Sequence, residues 1–135
     1  MTEKILVVDD SDDTREMMAK LLELEAFRVI TAEDGRVGLQ LAEDEQPDLI
    51  ITDINMPNLN GIEMIKILRE NPQFIAVPIM AITAYGSTVA SEALAAGANH
   101  ATTKPVEFDS LIESIKLLLQ KPGPNGDSTL FNSFE

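Results

Sequence analysis

Short apolar segments alternate with longer amphipathic ones five times along this 135-residue chain. The first of them, Ile5–Val8, is continuously apolar and stops abruptly at two aspartates. Continuous apolar runs are typical of strands that are buried on both faces of a sheet. Strict strand–helix alternation predicts a parallel sheet with right-handed crossovers and helices on both sides. A barrel would need eight such units, so an open α/β sheet is favoured.

Turn and breaker residues divide these segments into predicted elements. The strands are predicted at 5–8, 27–31, 49–51, 77–82 and 99–103. Asp12 or Asp13 is expected to cap the first helix, because a carboxylate there can accept from a free backbone N–H. Further helices are predicted at 35–45, from 62 to near 71, at 87–96 and at about 107–120.

The charge and the residue composition exclude several classes of protein. Ten basic and 23 acidic residues give a net charge of −13, which disfavours nucleic acid and anionic membrane surfaces as partners. The chain has no cysteine, so disulfide scaffolds and thiolate metal sites are excluded. No apolar run approaches the ~18–20 residues of a membrane span, and the first residues do not resemble a signal peptide. We therefore expect a cytoplasmic protein whose partners are cations and other proteins.

Chemically active side chains follow four of the predicted strands. Asp9 and Asp10 end the first strand, Asp53 the third, Thr83 the fourth and Lys104 the fifth. Because the carboxyl ends of parallel strands meet at one edge, these groups are expected to converge there. Three neighbouring carboxylates repel unless a cation is present, and oxygen ligands favour Mg²⁺, or Mn²⁺ in its place. A metal and a lysine suit phosphoryl chemistry, for which Asp53 is the best candidate nucleophile.

Four short motifs resemble the receiver domain of bacterial response regulators, the CheY-like family. They are VVDD at 7–10, DINMP at 53–57 followed by Gly61, TA at 83–84 and TKP at 103–105. The resemblance covers roughly residues 3–120. It implies a flavodoxin-like, doubly wound (βα)5 fold with a five-stranded parallel sheet in the order 2-1-3-4-5.

The resemblance also implies how the acidic residues act. Asp53 would accept a phosphoryl group from the phosphohistidine of a sensor histidine kinase or a phosphotransfer protein. Asp10 would bind Mg²⁺ directly, Asp9 would hold it mainly through water, and Asn55 would offer its backbone carbonyl.

The remaining family positions concern binding of the phosphoryl group and the conformational change that follows phosphorylation. Lys104 would pair with a phosphate oxygen and form a cis bond to Pro105, and Thr83 would hydrogen-bond the phosphoryl group. The family usually has an aromatic residue three positions before the lysine, where this chain has Ala101. In the family, the aromatic ring turns inward when the threonine moves. Ala101 has no ring, so this coupled movement is not expected in its usual form here. Tyr85 is an alternative switching residue, or else an exposed ring that lines the site.

The domain organisation is predicted to be a receiver at 1–120 and a tail at 121–135, without an output domain. Phe131 and Phe134 leave two interpretations of the tail open, a mobile end or a docking segment. Residues 87–96 contain no lysine or arginine. This disfavours a charge-paired dimer and predicts a monomer or weak dimer.

The first helix is a candidate partner surface. Some of four side chains are expected to lie on its exposed side near the site: Thr14, Arg15, Met18 and Leu22.

The leading hypothesis is a single-domain response regulator that signals to an unknown output protein by direct contact. It would be a phosphoacceptor rather than an enzyme, with only slow self-catalysed phosphotransfer and dephosphorylation. One alternative is a pseudo-receiver that binds partners without phosphorylation, and another is a domain cut from a hybrid kinase. A Mg²⁺-dependent aspartyl-phosphate phosphohydrolase is disfavoured, because it needs a second acid at the position of Asn55.

Overall fold

The computed structural model describes residues 2–56 and 58–120, and the predicted tail at 121–135 lies outside them. The elements are β1 (Lys4–Val8), α1 (Asp12–Leu24), β2 (Arg28–Ala32), α2 (Gly35–Glu45), β3 (Leu49–Asp53), α3 (Gly61–Glu70), β4 (Ile79–Thr83), α4 (Ser87–Ala96), β5 (His100–Thr103) and α5 (Phe108–Leu119). A single 3₁₀ turn, Pro72–Phe74, separates α3 from β4 and was not predicted from the sequence.

All five strands are parallel and form one sheet in the order β2-β1-β3-β4-β5. The predicted doubly wound fold and its strand order are confirmed. The chain leaves β1 towards β2 and returns to pair β3 on the opposite side of β1, so the strand order reverses between β1 and β3. The pairing places Val8 opposite Thr52, which brings the residues after β1 close to the end of β3.

Both faces of the sheet are covered by helices, which explains the continuous apolar runs in the sequence. On one face, Ile5, Val7 and Ile51 pack with residues of α1 and α5. On the other face, Leu6 and Ile50 pack with residues of α2, α3 and α4. In the described part of the chain, no helix is both long and apolar enough to cross a membrane.

The start of α1 differs from the prediction. Ser11 is the N-cap residue, and its side chain accepts from the Thr14 N–H, whereas Asp12 and Asp13 lie in the first turn. The prediction that Asp12 or Asp13 caps the helix is therefore wrong. Ser11 takes this position because its own N–H donates to Asp9 Oδ1 at 2.8 Å, which fixes the turn one residue earlier. The two carboxylates still stabilise the positive end of the helix.

The predicted exposed face of α1 is also partly wrong. Met18 and Leu22 are buried against the sheet, and Thr14 and Arg15 are half-buried. Met18 and Leu22 are four residues apart and so lie on the same side of the helix, facing β1 and β3. Met17, one residue along, is instead exposed.

Candidate functional site

Three carboxylates meet where the strand order reverses. Asp53 is the last residue of β3, and Asp9 and Asp10 directly follow β1. Asp9, Asp10 and Asp53 can each present one oxygen within 4.8 Å of the other two. Asp9 and Asp53 are buried, whereas Asp10 is exposed at the opening of the site. The convergence predicted for these three carboxylates is thus present in the structure.

Lys104 brings a positive charge to the same edge. Its Nζ lies 3.8 Å from Asp53 Oδ2 and 3.9 Å from Asp9 Oδ2, which is too far for a direct hydrogen bond. Its backbone N–H donates to the Thr83 carbonyl at 2.8 Å, so the loop after β5 is tied to the end of β4. The expected cis bond between Lys104 and Pro105 is present.

The electrostatics of the site leave Asp53 short of positive charge. Burial and the neighbouring carboxylate of Asp9 raise the pKa of Asp53 from 3.8 to about 6. Lys104 and the Ile54 N–H, which donates to Asp53 Oδ1 at 2.8 Å, oppose this rise in pKa without cancelling it. The carboxylates can therefore gain from a further cation, and an all-oxygen donor set suits Mg²⁺ or Mn²⁺. The donor chemistry of the site fits the predicted metal.

Arg15, which was predicted to lie on a partner surface, instead holds the loop between β1 and α1. One guanidinium nitrogen of Arg15 donates to the backbone carbonyl of Asp9 at 2.7 Å, and the side chain also pairs with Asp12. Arg15 thus fixes the segment that carries Asp9 and Asp10. A six-residue separation along the chain gives no periodic signal for this contact.

Gly61 lets α3 begin against the backbone of Asp53. A Cβ atom at Gly61 would lie 2.3 Å from the Asp53 carbonyl oxygen and 2.9 Å from Ile54 Cα. The Gly61 N–H donates to the Ile54 carbonyl at 2.8 Å and closes the loop that carries Asn55. Asn55 itself is exposed, two residues after Asp53. The requirement for glycine thus has a steric origin.

The three switch candidates occupy different environments. Thr83 is buried, and its Oγ1 accepts from the Tyr85 N–H at 3.0 Å. The Tyr85 side chain is 65% exposed. Ala101 lies on β5 and packs against the apolar cluster that includes residues of α3 and α4. Thr83 is therefore linked to Tyr85 through the Tyr85 backbone N–H, whereas Ala101 is partly buried at the edge of the core. Their roles in a switch stay predictions.

The reversal of strand order and the acidic edge beside it define a flavodoxin-like α/β protein whose three carboxylates could hold a cation. Residues 5–116 match the family model described as "Response regulator receiver domain". The chain belongs to the family of response regulator receiver domains, so the resemblance noted in the sequence is confirmed.

Individual relatives agree with this assignment. The chain is 30% identical over 120 residues to "Polar-differentiation response regulator DivK" of Brucella ovis, covering 88% of this chain and 98% of the relative. It is 39% identical to the "Uncharacterized 14.6 kDa protein in sodA1 3'region" of Leptolyngbya boryana, covering 83% and 86%. The crystal structure of the chemotaxis response regulator CheY4 of Vibrio cholerae has a TM-score of 0.82 at 34% identity, covering 87% and 99%.

Proposed function

We propose that this chain is a single-domain response regulator of a two-component phosphorelay, in which Asp53 accepts a phosphoryl group with the help of Mg²⁺. The observation that carries the proposal is the geometry of Asp53: a buried carboxylate beside Asp9 and Asp10, with Lys104 Nζ at 3.8 Å. Receiver domains are typically phosphoacceptors rather than enzymes, and this arrangement suits that role.

In the proposed transfer, an Asp53 side-chain oxygen forms a bond to phosphorus while the P–N bond of a phosphohistidine breaks. The histidine leaves, and the aspartyl phosphate stays on this chain. Asp9 and Asp10 would hold Mg²⁺, which would supply positive charge to the phosphate oxygens. Lys104 supplies a second positive charge to the phosphoryl oxygens. Thr83 can donate its hydroxyl to the phosphoryl group, which adds strong acceptor oxygens to the site.

The partners follow from the same proposal. A sensor histidine kinase or a phosphotransfer protein supplies the phosphoryl group, and an unidentified output protein reads it by direct contact in the cytoplasm. The match covers 98% of a relative named as a response regulator, which supports the assignment of residues 1–120 to a receiver. Residues 121–135 are then a tail, which we place outside the receiver.

Phosphoryl uptake tests the proposal without knowledge of the kinase. Incubation with Mg²⁺ and acetyl phosphate should add one phosphoryl group to the full chain, as measured by intact mass. The Asp53–phosphorus bond forms as acetate leaves. Chelation of the metal should prevent uptake, and Mn²⁺ should restore it. Equal labelling with and without the chelator would contradict the proposed use of the metal, and no labelling would favour a pseudo-receiver.

Mg²⁺ affinity should depend on pH in a defined range. Because Asp53 has a pKa of about 6, it is mostly protonated at pH 5, and a proton must leave before the metal binds. We expect the dissociation constant for Mg²⁺ to rise about tenfold from pH 7 to pH 5 and to stay nearly constant from pH 7 to pH 8. Calorimetric titration at each pH measures this. A constant affinity down to pH 5 would contradict the raised pKa.

A further inference from the structure

A buried carboxylate outside the acidic site joins α2 to the loop between β3 and α3. Asp34 is buried and is the N-cap residue of α2, where its Oδ1 accepts from the Val37 N–H at 2.9 Å. Its second oxygen, Oδ2, accepts from Asn58 Nδ2 at 3.0 Å. The two residues are 24 positions apart. One side chain therefore caps a helix and holds a distant loop.

Two backbone features of the loop between β3 and α3 accompany this contact. Asn58 has a left-handed backbone with φ of 68°, a conformation that asparagine tolerates better than most residues. Next to it the loop backbone presses on α2, since a Cβ atom at Gly35 would lie 2.4 Å from the Leu59 carbonyl oxygen. The start of α2 thus contacts this loop in two ways. Asn58 donates a hydrogen bond to Asp34, and the Leu59 backbone lies close against Gly35.

This loop carries Asn55, whose backbone carbonyl is the further metal ligand that the resemblance to receiver domains implies. The loop is fixed near its ends, where the Ile54 N–H is shared between Asp53 Oδ1 and the Ile82 carbonyl, and the Gly61 N–H donates to the Ile54 carbonyl. The bond from Asn58 to Asp34 adds a third anchor between these two. A ligand on a backbone that is already ordered binds a metal more tightly, because less conformational entropy is lost on binding.

We propose that the hydrogen bond between Asp34 and Asn58 is a clasp that positions the Asn55 segment for Mg²⁺ and so sets the metal affinity of the receiver. This proposal rests on the proposed function of the acidic site. Asp34 and Asn58 are positioning residues, because they act on the metal through the loop backbone. The acceptor is ionised at neutral pH: the Val37 N–H and the Asn58 amide hold the pKa of Asp34 below its ordinary value. A charge-assisted bond of this kind is stronger than a neutral one.

The clasp can be broken and rebuilt by exchanging its two side chains. Asn58→Asp places a second carboxylate against Asp34 and removes the donor. The double variant Asp34→Asn with Asn58→Asp restores one donor and one acceptor with an unchanged net charge, and asparagine caps α2 as well as aspartate does. Asn58→Gly removes the donor without a new charge, at a position where glycine adopts the left-handed backbone without strain.

We expect Asn58→Asp and Asn58→Gly each to weaken Mg²⁺ binding about fivefold to tenfold, as measured by calorimetry with Mg²⁺ alone at pH 8. The double variant should return to within about twofold of the wild-type affinity. Asn60→Asp is the matched control for added charge on the same loop, because aspartate also serves as the N-cap residue of α3 there. Its affinity should not fall.

A second measurement separates positioning from stability. Denaturation with the metal chelated gives the free energy of unfolding of each variant. Variants that unfold more easily but bind Mg²⁺ with wild-type affinity would overturn the clasp and leave the proposed function intact. A double variant that binds as weakly as Asn58→Asp would also overturn it. If the wild-type chain binds no Mg²⁺, the proposed function itself fails, and the clasp with it.

Discussion

Asp53→Asn should abolish phosphoryl uptake from acetyl phosphate and, at the same time, make the metal-free protein more stable than the wild type at pH 8. The first effect follows from the loss of the nucleophilic carboxylate. The second follows from charge, because Asp53 is buried beside Asp9 and has a pKa raised to about 6. An asparagine Oδ1 can still accept from the Ile54 N–H, so the substitution keeps the hydrogen bond and removes the repulsion.

The extra stability of Asp53→Asn should depend on pH, because it comes from removal of the negative charge of Asp53. The folded-state pKa lies above the unfolded value, so between about pH 4 and pH 6 the folded chain holds a proton that the unfolded chain releases. Wild-type stability is therefore lost as the pH rises through this range. Such a rise in pKa corresponds to about 3 kcal/mol at most. Because water reaches the opening of the site, we expect about 1–2 kcal/mol at pH 8.

Chemical denaturation in the presence of a chelator, at several pH values, measures the difference in free energy of unfolding. Glu113→Gln is the matched control, because it removes one exposed acid from the middle of α5. It should change the stability by no more than a few tenths of a kcal/mol. Saturating Mg²⁺ should stabilise the wild type more than Asp53→Asn, since the substitution removes one of the three carboxylates that can hold the metal. Continued labelling of Asp53→Asn would refute the assignment of the phosphoacceptor.

The sheet and the acidic edge could be predicted because they depend on local patterns. A strand buried on both faces reads as an apolar run, and the residue that ends it must lie at the carboxyl edge. This pattern predicts the positions of Asp9 and Asp53, which the structure places together at that edge. It also predicts the position of Thr83, although β4 extends to include that residue.

The contacts that support the site could not be predicted, because they join residues with no shared periodicity. The bond from Arg15 to the Asp9 carbonyl and the bond from Asn58 to Asp34 depend on how separate loops meet in space. The burial of Met18 rather than Met17 was missed for a related reason. Several apolar residues follow one another in α1, and the sequence does not show which of them faces the sheet.

Lys104→Met should slow phosphoryl uptake from acetyl phosphate about a hundredfold while leaving Mg²⁺ binding at least as tight as in the wild type. Methionine is unbranched like lysine and only one atom shorter, and it removes the charge. The Lys104 ammonium lies 3.8 Å from Asp53 Oδ2, where it can stabilise the additional negative charge that develops on the phosphoryl oxygens. The Lys104 ammonium also repels an incoming divalent cation. Its removal should therefore lower the rate of phosphoryl transfer without lowering the affinity for Mg²⁺.

Both quantities should be measured at pH 8, where Asp53 stays ionised even though the loss of Lys104 raises its pKa further. Lys116→Met is the matched control: it removes the same charge from α5, where Lys116 Nζ lies 3.7 Å from Glu25 and not at the acidic edge. Its uptake rate should equal that of the wild type. If Lys104→Met lost Mg²⁺ affinity and uptake rate by the same factor, Lys104 would be a structural support of the metal site and not a partner of the phosphoryl group.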